Sequence, residues 1–153
     1  MSLRVTSPVA GAVVELTEVP DPVFAEAMVG PGLAVRPDEA DAEVDAVAPV
    51  SGTVATLHPH AFVVATEAGP AVLVHLGIDT VKMKGEGFTL HVAKGDRVAE
   101  GQPVIAWNPR AVRAAGYATI CPVIALDASA EALTARHSPG AVQPGESLFE
   151  WVS

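Results

Sequence analysis

Residues Val54–Val81 read VATLHPHAFVVATEAGPAVLVHLGIDTV, and how this stretch pairs with itself decides the architecture. Ala61–Ala65 and Val72–Leu76 are both apolar and partly β-branched. Thr66-Glu67-Ala68-Gly69-Pro70 between them supplies turn residues, so the whole reads as one β-hairpin. A turn centred between Glu67 and Ala68 sets Ala65 opposite Pro70, Phe62 opposite Leu73 and His60 opposite His75. Directly opposed residues have Cβ atoms roughly 4.5–5.5 Å apart on one face of the sheet. The expectation is that the two imidazoles touch. It depends on register, because a slip of one residue places the rings on opposite faces.

Two adjacent imidazoles flanked by apolar residues can bind a metal, act as nucleophile and helper, or simply pack and hydrogen-bond. Polar residues are uncommon on a face that also carries Phe62 and Leu73. Gly77 lets backbone N–H groups approach a ligand, as an oxyanion or phosphoryl group needs. Asp79 follows His75 by four residues.

The chain of 153 residues is one domain by length, 1–153, and large enough to bury a core. Half its residues are hydrophobic, which argues against disorder. Thirteen glycines and thirteen prolines suit many short strands joined by turns. The single Cys121, between Ile120 and Pro122, excludes an internal disulfide framework and reads as a small buried hydrophobe in a reducing cytoplasm. A formal charge of −9 makes nucleic acid and anionic membranes poor partners. No signal-like or membrane-spanning apolar run is present, so the expectation is a soluble cytoplasmic protein with no membrane insertion.

Two internal echoes stand out. Pro8-Val9-Ala10-Gly11-Ala12-Val13 resembles Pro49-Val50-Ser51-Gly52-Thr53-Val54, and Val98-x-x-Gly101-x-x-Val104-x-x-Trp107 resembles Val142-x-x-Gly145-x-x-Leu148-x-x-Trp151. Two copies are too few for a solenoid, and the pair suggests an internally duplicated β architecture. Strands are expected around Val13-Val14, over Leu33–Val35, from Val47 to Leu57, and from Glu146 to Val152. Residues 37–46 read as an acidic surface loop. Ala111–Gly116 suits one helical turn after Pro109, and Ala128–Arg136 is the clearest helix, N-capped by Asp127 or Ser129. Phe24, Met28 and Val29 are read as exposed or rim apolar groups.

The motifs HAF (His60–Phe62), HLGIDTV (His75–Val81) and KGEGF (Lys84–Phe88) resemble the glucose-type enzyme IIA of the bacterial sugar phosphotransferase system. SPVAG, VPDPVFAEAMVGPG, VAPVSGTV, KGDRVAEGQPVI and PGESLF extend the resemblance over nearly the whole chain. It implies an all-β, compact antiparallel sandwich or barrel with internal duplication and one or two short helices. It implies that His75 carries a phosphoryl group on Nε2, that His60 contacts that group, and that Asp79 and Asp21 lie beside the site. Phe24, Met28, Val29 and Leu73 then match an apolar rim on which partners dock. Those partners are the histidine-containing phosphocarrier protein as donor and a cysteine-bearing IIB domain as acceptor. His58 stands where the enteric pattern has Thr. The basic amphipathic tail of some members has no counterpart, so no membrane anchoring is carried over.

The chemistry suits these residues. A neutral imidazole keeps a nitrogen lone pair at cytoplasmic pH, and phosphoryl transfer through a loose transition state needs positioning and N–H donors. One rival is a zinc metallopeptidase, since His58-x-His60 and His75-x-x-x-Asp79 have ligand spacings. In those enzymes HxxxD precedes HxH, whereas here it follows. Adventitious Zn²⁺ at His60 and His75 remains chemically reasonable, with no cofactor required. A second rival is a biotinyl- or lipoyl-type carrier, suggested by Lys82-Met83-Lys84 and VAKGDRVAEGQPV. Against it, GEGF lacks a second flanking methionine and the histidine pair goes unexplained. Lys82 and Lys84 then read as surface charges, and His91 and His137 as isolated structural or surface residues.

Overall fold

Fourteen short strands and two short helices make up the computed structural model, which describes residues 2–39 and 42–152. The strands are β1 (Ser2–Thr6), β2 (Gly11–Val14), β3 (Gly32–Pro37), β4 (Val44–Val47), β5 (Gly52–His58), β6 (Ala61–Ala65), β7 (Ala71–His75), β8 (Phe88–Leu90), β9 (Arg97–Val98), β10 (Pro103–Trp107), β11 (Cys121–Ala125), β12 (Leu133–Thr134), β13 (Gly140–Val142) and β14 (Ser147–Val152). The helices are α1 (Pro22–Ala25) and α2 (Pro109–Ala114), with 3₁₀ turns at Leu16–Glu18, Thr80–Met83 and Ala130–Ala132.

Every strand pair is antiparallel. An eight-stranded sheet runs β13-β2-β3-β11-β7-β6-β5-β9, faced by two three-stranded sheets, β1-β14-β12 and β4-β10-β8. Strand alternation builds the core between them. On β7, Val72 and Val74 are buried in the main core, while Ala71, Leu73 and His75 are half-buried on the opposite face. Phe62, Leu148, Phe149 and Trp107 fill the centre.

The two echoes are one duplication seen twice. Gly11 pairs with Val142 on β13, and Gly52 pairs with Val98 on β9. Thr6 N donates to Pro49 O at 3.0 Å while Val47 N donates to Pro8 O at 2.9 Å. Gly145 N donates to Ser7 O at 3.0 Å and Gly101 N to Ala48 O at 2.8 Å. Each bond has its counterpart in the other half. Glycine is required at both strand starts: a Cβ on Gly11 would lie 2.0 Å from Arg36 O, and one on Gly52 would lie 2.2 Å from Ala65 O. The large sheet is palindromic about the β11–β7 pair, so β3 answers to β6 and β11 to β7.

Four expectations are corrected. The acidic loop expected over 37–46 is cut short by β3, which runs to Pro37, and by β4, which begins at Val44 and buries Ala46, and residues 40 and 41 of it lie outside the described residues. The hairpin register is shifted by one: Ala65 faces Ala71, Phe62 faces Val74, and His75 faces Ala61. Pro70 has no N–H to give the ladder, so pairing begins at Ala71. Pro70 instead closes a five-residue loop, its carbonyl accepting from Thr66 N at 2.9 Å and Thr66 Oγ1 at 2.8 Å. Ala128–Arg136 is not a helix. It holds one 3₁₀ turn and then β12, where Leu133 pairs with Trp151 and is buried. Sheet pairing overrides the helix propensity of its alanines. Val47–Leu57 is not one strand either, since β4 and β5 are separated at Ala48–Ser51. The expected helical turn after Pro109 is present as α2, with Asn108 Oδ1 accepting from Ala111 N at 3.2 Å.

Candidate functional site

His75 ends β7 on the outer face of the large sheet, half-buried. Its Nδ1 lies 2.5 Å from the carbonyl oxygen of Gly77. A carbonyl can only accept, so Nδ1 carries the proton and the Nε2 lone pair is left available. Gly77 makes this turn by adopting φ +80°, and a Cβ there would meet Ala118 O and Thr80 Cγ2 at 2.7 Å. Ile78 N donates to Ala118 O at 3.0 Å, and buried Thr80 donates through Oγ1 to Leu76 O at 2.8 Å. The segment after His75 is therefore pinned on both sides. Asp79, exposed, takes a left-handed conformation at φ +63°.

His60 reaches the same place from a different element. It belongs to the Pro59-His60 turn between β5 and β6, and its carbonyl accepts from Leu76 N at 2.7 Å. Released from strand alternation, its ring meets that of His75 edge-on, with centroids 5.2 Å apart at 71°. The two imidazoles do meet, by a route the hairpin register alone would have forbidden. His58 stacks on His60, with centroids 5.7 Å apart at 20°. Phe24 also packs against His75, with ring centroids 5.2 Å apart at 55°.

Both site histidines are held neutral. Burial pulls the His60 pKa down to about 4, helped by the neighbouring His75 and His58. Burial also lowers His75, opposed by the Gly77 carbonyl and by the negative charges of Asp21 and Asp79. Asp21 is fixed as the N-cap of α1, its Oδ1 accepting from Val23 N at 2.9 Å, with Pro22 in the first turn. The Asp-Pro signal for α1 was available in the sequence and was missed.

The apolar surroundings divide. Met28 is 69% exposed, and Val29 and Leu73 are half-buried. Phe24, expected as an exposed or rim group, is only 7% exposed and forms a wall of the site. Its ring is taken up by a second apolar cluster with Leu16, Val19, Ile78 and Ile124. Val23 and Val81, not singled out from sequence, are 40% and 59% exposed. Elsewhere, Cys121 is buried with its thiol pushed up to about 12, which removes it as a nucleophile. His91 bonds Asp45 at 2.9 Å, and His137 bonds the Ser138 carbonyl at 2.6 Å. Lys82-Met83-Lys84 lies on a 3₁₀ turn between β7 and β8, which do not pair with each other, so it is no hairpin tip of the biotinyl kind. Among the described residues no group of three or more His, Cys, Asp or Glu is placed to hold a metal ion. None of their helices is long and apolar enough to cross a membrane.

Fold and site together define an internally duplicated antiparallel β domain that presents a neutral histidine pair at its surface. The chain belongs to the family described as "phosphoenolpyruvate-dependent sugar phosphotransferase system, EIIA 1", which it matches over residues 3–130. It is 38% identical over 145 residues, 94% of the chain, to the PTS system beta-glucoside-specific EIIBCA component of Bacillus subtilis (strain 168). It is 49% identical over 116 residues, 74% of the chain, to the PTS system glucose-specific EIICBA component of Streptococcus pneumoniae serotype 4 (strain ATCC BAA-334 / TIGR4). The chain spans only 23% and 15% of the length of those two relatives. In structure it resembles the glucose permease IIA from Mycoplasma capricolum, with a TM-score of 0.87 and 31% identity over 98% of this chain and 96% of that one. The all-β, internally duplicated architecture expected from the resemblance is the one found.

Proposed function

We propose that this chain is a phosphocarrier of the sugar phosphotransferase system, with His75 as its phosphoryl acceptor. The observation that carries this reading is the Nδ1–H to Gly77 carbonyl bond, which leaves Nε2 as the nucleophilic nitrogen. In the first step the histidine-containing phosphocarrier protein delivers its phosphoryl group. The His75 Nε2–P bond forms as the donor's N–P bond breaks, and the donor imidazole keeps the electron pair. In the second step a cysteine thiolate of a IIB domain attacks. The S–P bond forms, Nε2–P breaks, and His75 returns to its neutral tautomer. The composite names EIIBCA and EIICBA of the relatives support a IIB acceptor.

The other groups then have distinct tasks. His60, neutral at rest, becomes a charged donor when an anionic phosphoryl group arrives beside it and favours its protonation. His58 restrains the His60 ring by stacking. Asp79 and Asp21 repel the phosphoryl oxygens and keep the phosphohistidine ready to leave. Gly77 holds the His75 tautomer. Met28, Val29 and Leu73 form the docking rim used in turn by donor and acceptor, with Phe24 as the rigid wall behind it. Transfer requires no metal: His60 and His75 offer Zn²⁺ two nitrogens, fewer than the three protein ligands of a catalytic zinc site.

The test is to phosphorylate the protein with phosphoenolpyruvate, enzyme I and the histidine phosphocarrier, then assign the phosphohistidine isomer by NMR. The expected product is His75 phosphorylated on Nε2. Phosphate on Nδ1, or on His60, would overturn the assignment.

A further inference from the structure

We propose that the cleft between the Lys82–Gly87 loop and α2 is a binding site for a small phosphate monoester, of the kind that phosphorylation of a sugar produces. The cleft has a volume of about 590 Å³ and is lined by Lys82, Lys84, Glu86, Met83, Ala115 and Tyr117 among others. That lies within the size range of small-molecule sites, roughly 300–1,000 Å³. A neighbouring cleft of about 420 Å³ shares Tyr117 and adds Arg36 and Arg113. Four of the nine lysines and arginines in a chain of charge −9 thus converge on one region. Arg36 is paired with Glu18 and Arg113 with Glu39. Neither the Lys82 nor the Lys84 ammonium takes part in an ion pair among the described residues. Two lysines without an ion-pair partner, against the single carboxylate of Glu86, leave the cleft lining net positive in an acidic protein, and an anion would relieve that imbalance.

The remaining lining narrows the class. Lysines bind phosphate as point charges, without the planar match to a fork that arginine gives. Glu86 accepts hydrogen bonds from hydroxyls and disfavours a ligand that is anionic throughout. Tyr117 and Met83, both packed against the main core, present fixed apolar surface for a ring. Two cations, one carboxylate and an apolar wall in a single cleft suit a phosphate joined to a hydroxylated ring, which is a sugar phosphate. The loop also touches the transfer site. A Cβ on Gly85 would lie 3.3 Å from Pro59 Cγ, so the loop that carries Lys84 and Glu86 runs close against the turn that carries His60. Occupancy of the cleft therefore bears on the position of His60, as feedback by product requires.

The ligand class rests on family membership and cleft chemistry, and not on His75 being the acceptor. The test is a titration of ¹⁵N-labelled protein, alone, with glucose 6-phosphate, phosphoenolpyruvate, inorganic phosphate and glucose. Glucose 6-phosphate should shift Lys82–Gly87 and Ala111–Tyr117 saturably, with a Kd of about 1 mM or tighter, and should shift His60 as well. The double variant Lys82→Met/Lys84→Met should weaken binding about tenfold or more with an otherwise native spectrum. Ala115→Trp, which fills the cleft without altering charge, should abolish it. Absence of saturable shifts, shifts confined to the histidines, or unchanged binding in both variants would overturn the site. Phosphoenolpyruvate or phosphate binding as tightly as the sugar ester would overturn the ligand class. No phosphotransfer partner is present, so either outcome leaves the His75 reading to its own test.

Discussion

The end of β7 and its counterpart at the end of β11 share a backbone plan and differ in chemistry. On one side Leu76 N bonds His60 O at 2.7 Å; on the other Ala125 N bonds Pro31 O at 2.9 Å. Following the paired strands through the duplication sets Ile124 in the place of His75 and Pro31 in the place of His60. Ile124 is fully buried in the apolar cluster with Leu16, Val19 and Phe24. Those residues belong to the long connection from Glu15 to Pro31, which joins β2 to β3 and folds over that face. The equivalent connection between β5 and β6 is the two-residue turn Pro59-His60, so nothing covers His75 in the same way. Phe24 nevertheless extends from the long connection to touch His75. The duplicated scaffold leaves its histidine pair accessible where the connection is short, and takes one wall of that site from the long connection of the other copy.

The widest gap between the two regions should appear on removing the proposed acceptor ring. His75→Gln should form no stable phosphoprotein, because the variant lacks the nitrogen proposed to attack. His60→Gln keeps an N–H donor of similar reach and should still accept phosphate. Its onward transfer to a IIB domain should fall about a hundredfold or more, the usual cost of losing a transition-state donor. Acid-labile phosphate on each variant, followed by transfer to IIB, checks both. Normal labelling of His75→Gln with none on His60→Gln would reverse the roles.

The shared backbone plan can be broken symmetrically. Gly11→Ala and Gly52→Ala each drive a methyl to about 2 Å from a carbonyl of the neighbouring strand. Both should destabilise the fold by several kcal/mol, on the order of the larger single-site effects, and to a similar extent. Urea denaturation midpoints measure this. A large loss in one variant with none in the other would mean that the two halves do not use their glycines alike.

Much of this was legible in the sequence, for identifiable reasons. The echoes were readable because Gly11 and Gly52, like Gly101 and Gly145, meet backbone demands that few other residues satisfy. The latter pair takes φ +87° in both copies. The histidine pair was readable as a pair, but its geometry was not. Register depends on how Pro70 closes its loop, and the position of the His60 ring depends on a turn that strand alternation does not describe. Ala128–Arg136 misled because local propensity favours helix while Leu133 gains more by pairing with Trp151 under the core. Phe24 looked like surface because the cluster that buries it is assembled from Leu16, Ile78 and Ile124, far apart in the chain. Such long-range cover has no local periodicity.

The smallest expected difference concerns pH, and it separates the two regions cleanly. The His60 pKa is depressed from 6.5 to about 4 in the folded chain, chiefly by burial. Between those values the unfolded chain binds the proton that the folded chain refuses. Stability must therefore rise with pH across that window and be lost as pH falls from about 6.5 towards 4. His75 is lowered too, and acts in the same direction. Because His60 is partly solvated, screening keeps the effect well below that of the glycine substitutions. Its counterpart Pro31 cannot titrate, and neither can Ile124. Ile124→Val should cost about 0.5–1.5 kcal/mol, by the same amount at pH 7.5 and pH 4.5, since it removes only a buried methylene. His60→Gln should instead gain on the wild type as pH falls, because the variant has no proton to refuse at that position. Denaturant midpoints for the three proteins at several pH values provide the comparison. A wild-type minus His60→Gln difference that stays flat from pH 7.5 to 4.5 would mean that His60 is not held neutral by its surroundings. The charge change assigned to it during transfer would then lose its physical basis, while the apolar half of the molecule would be unaffected.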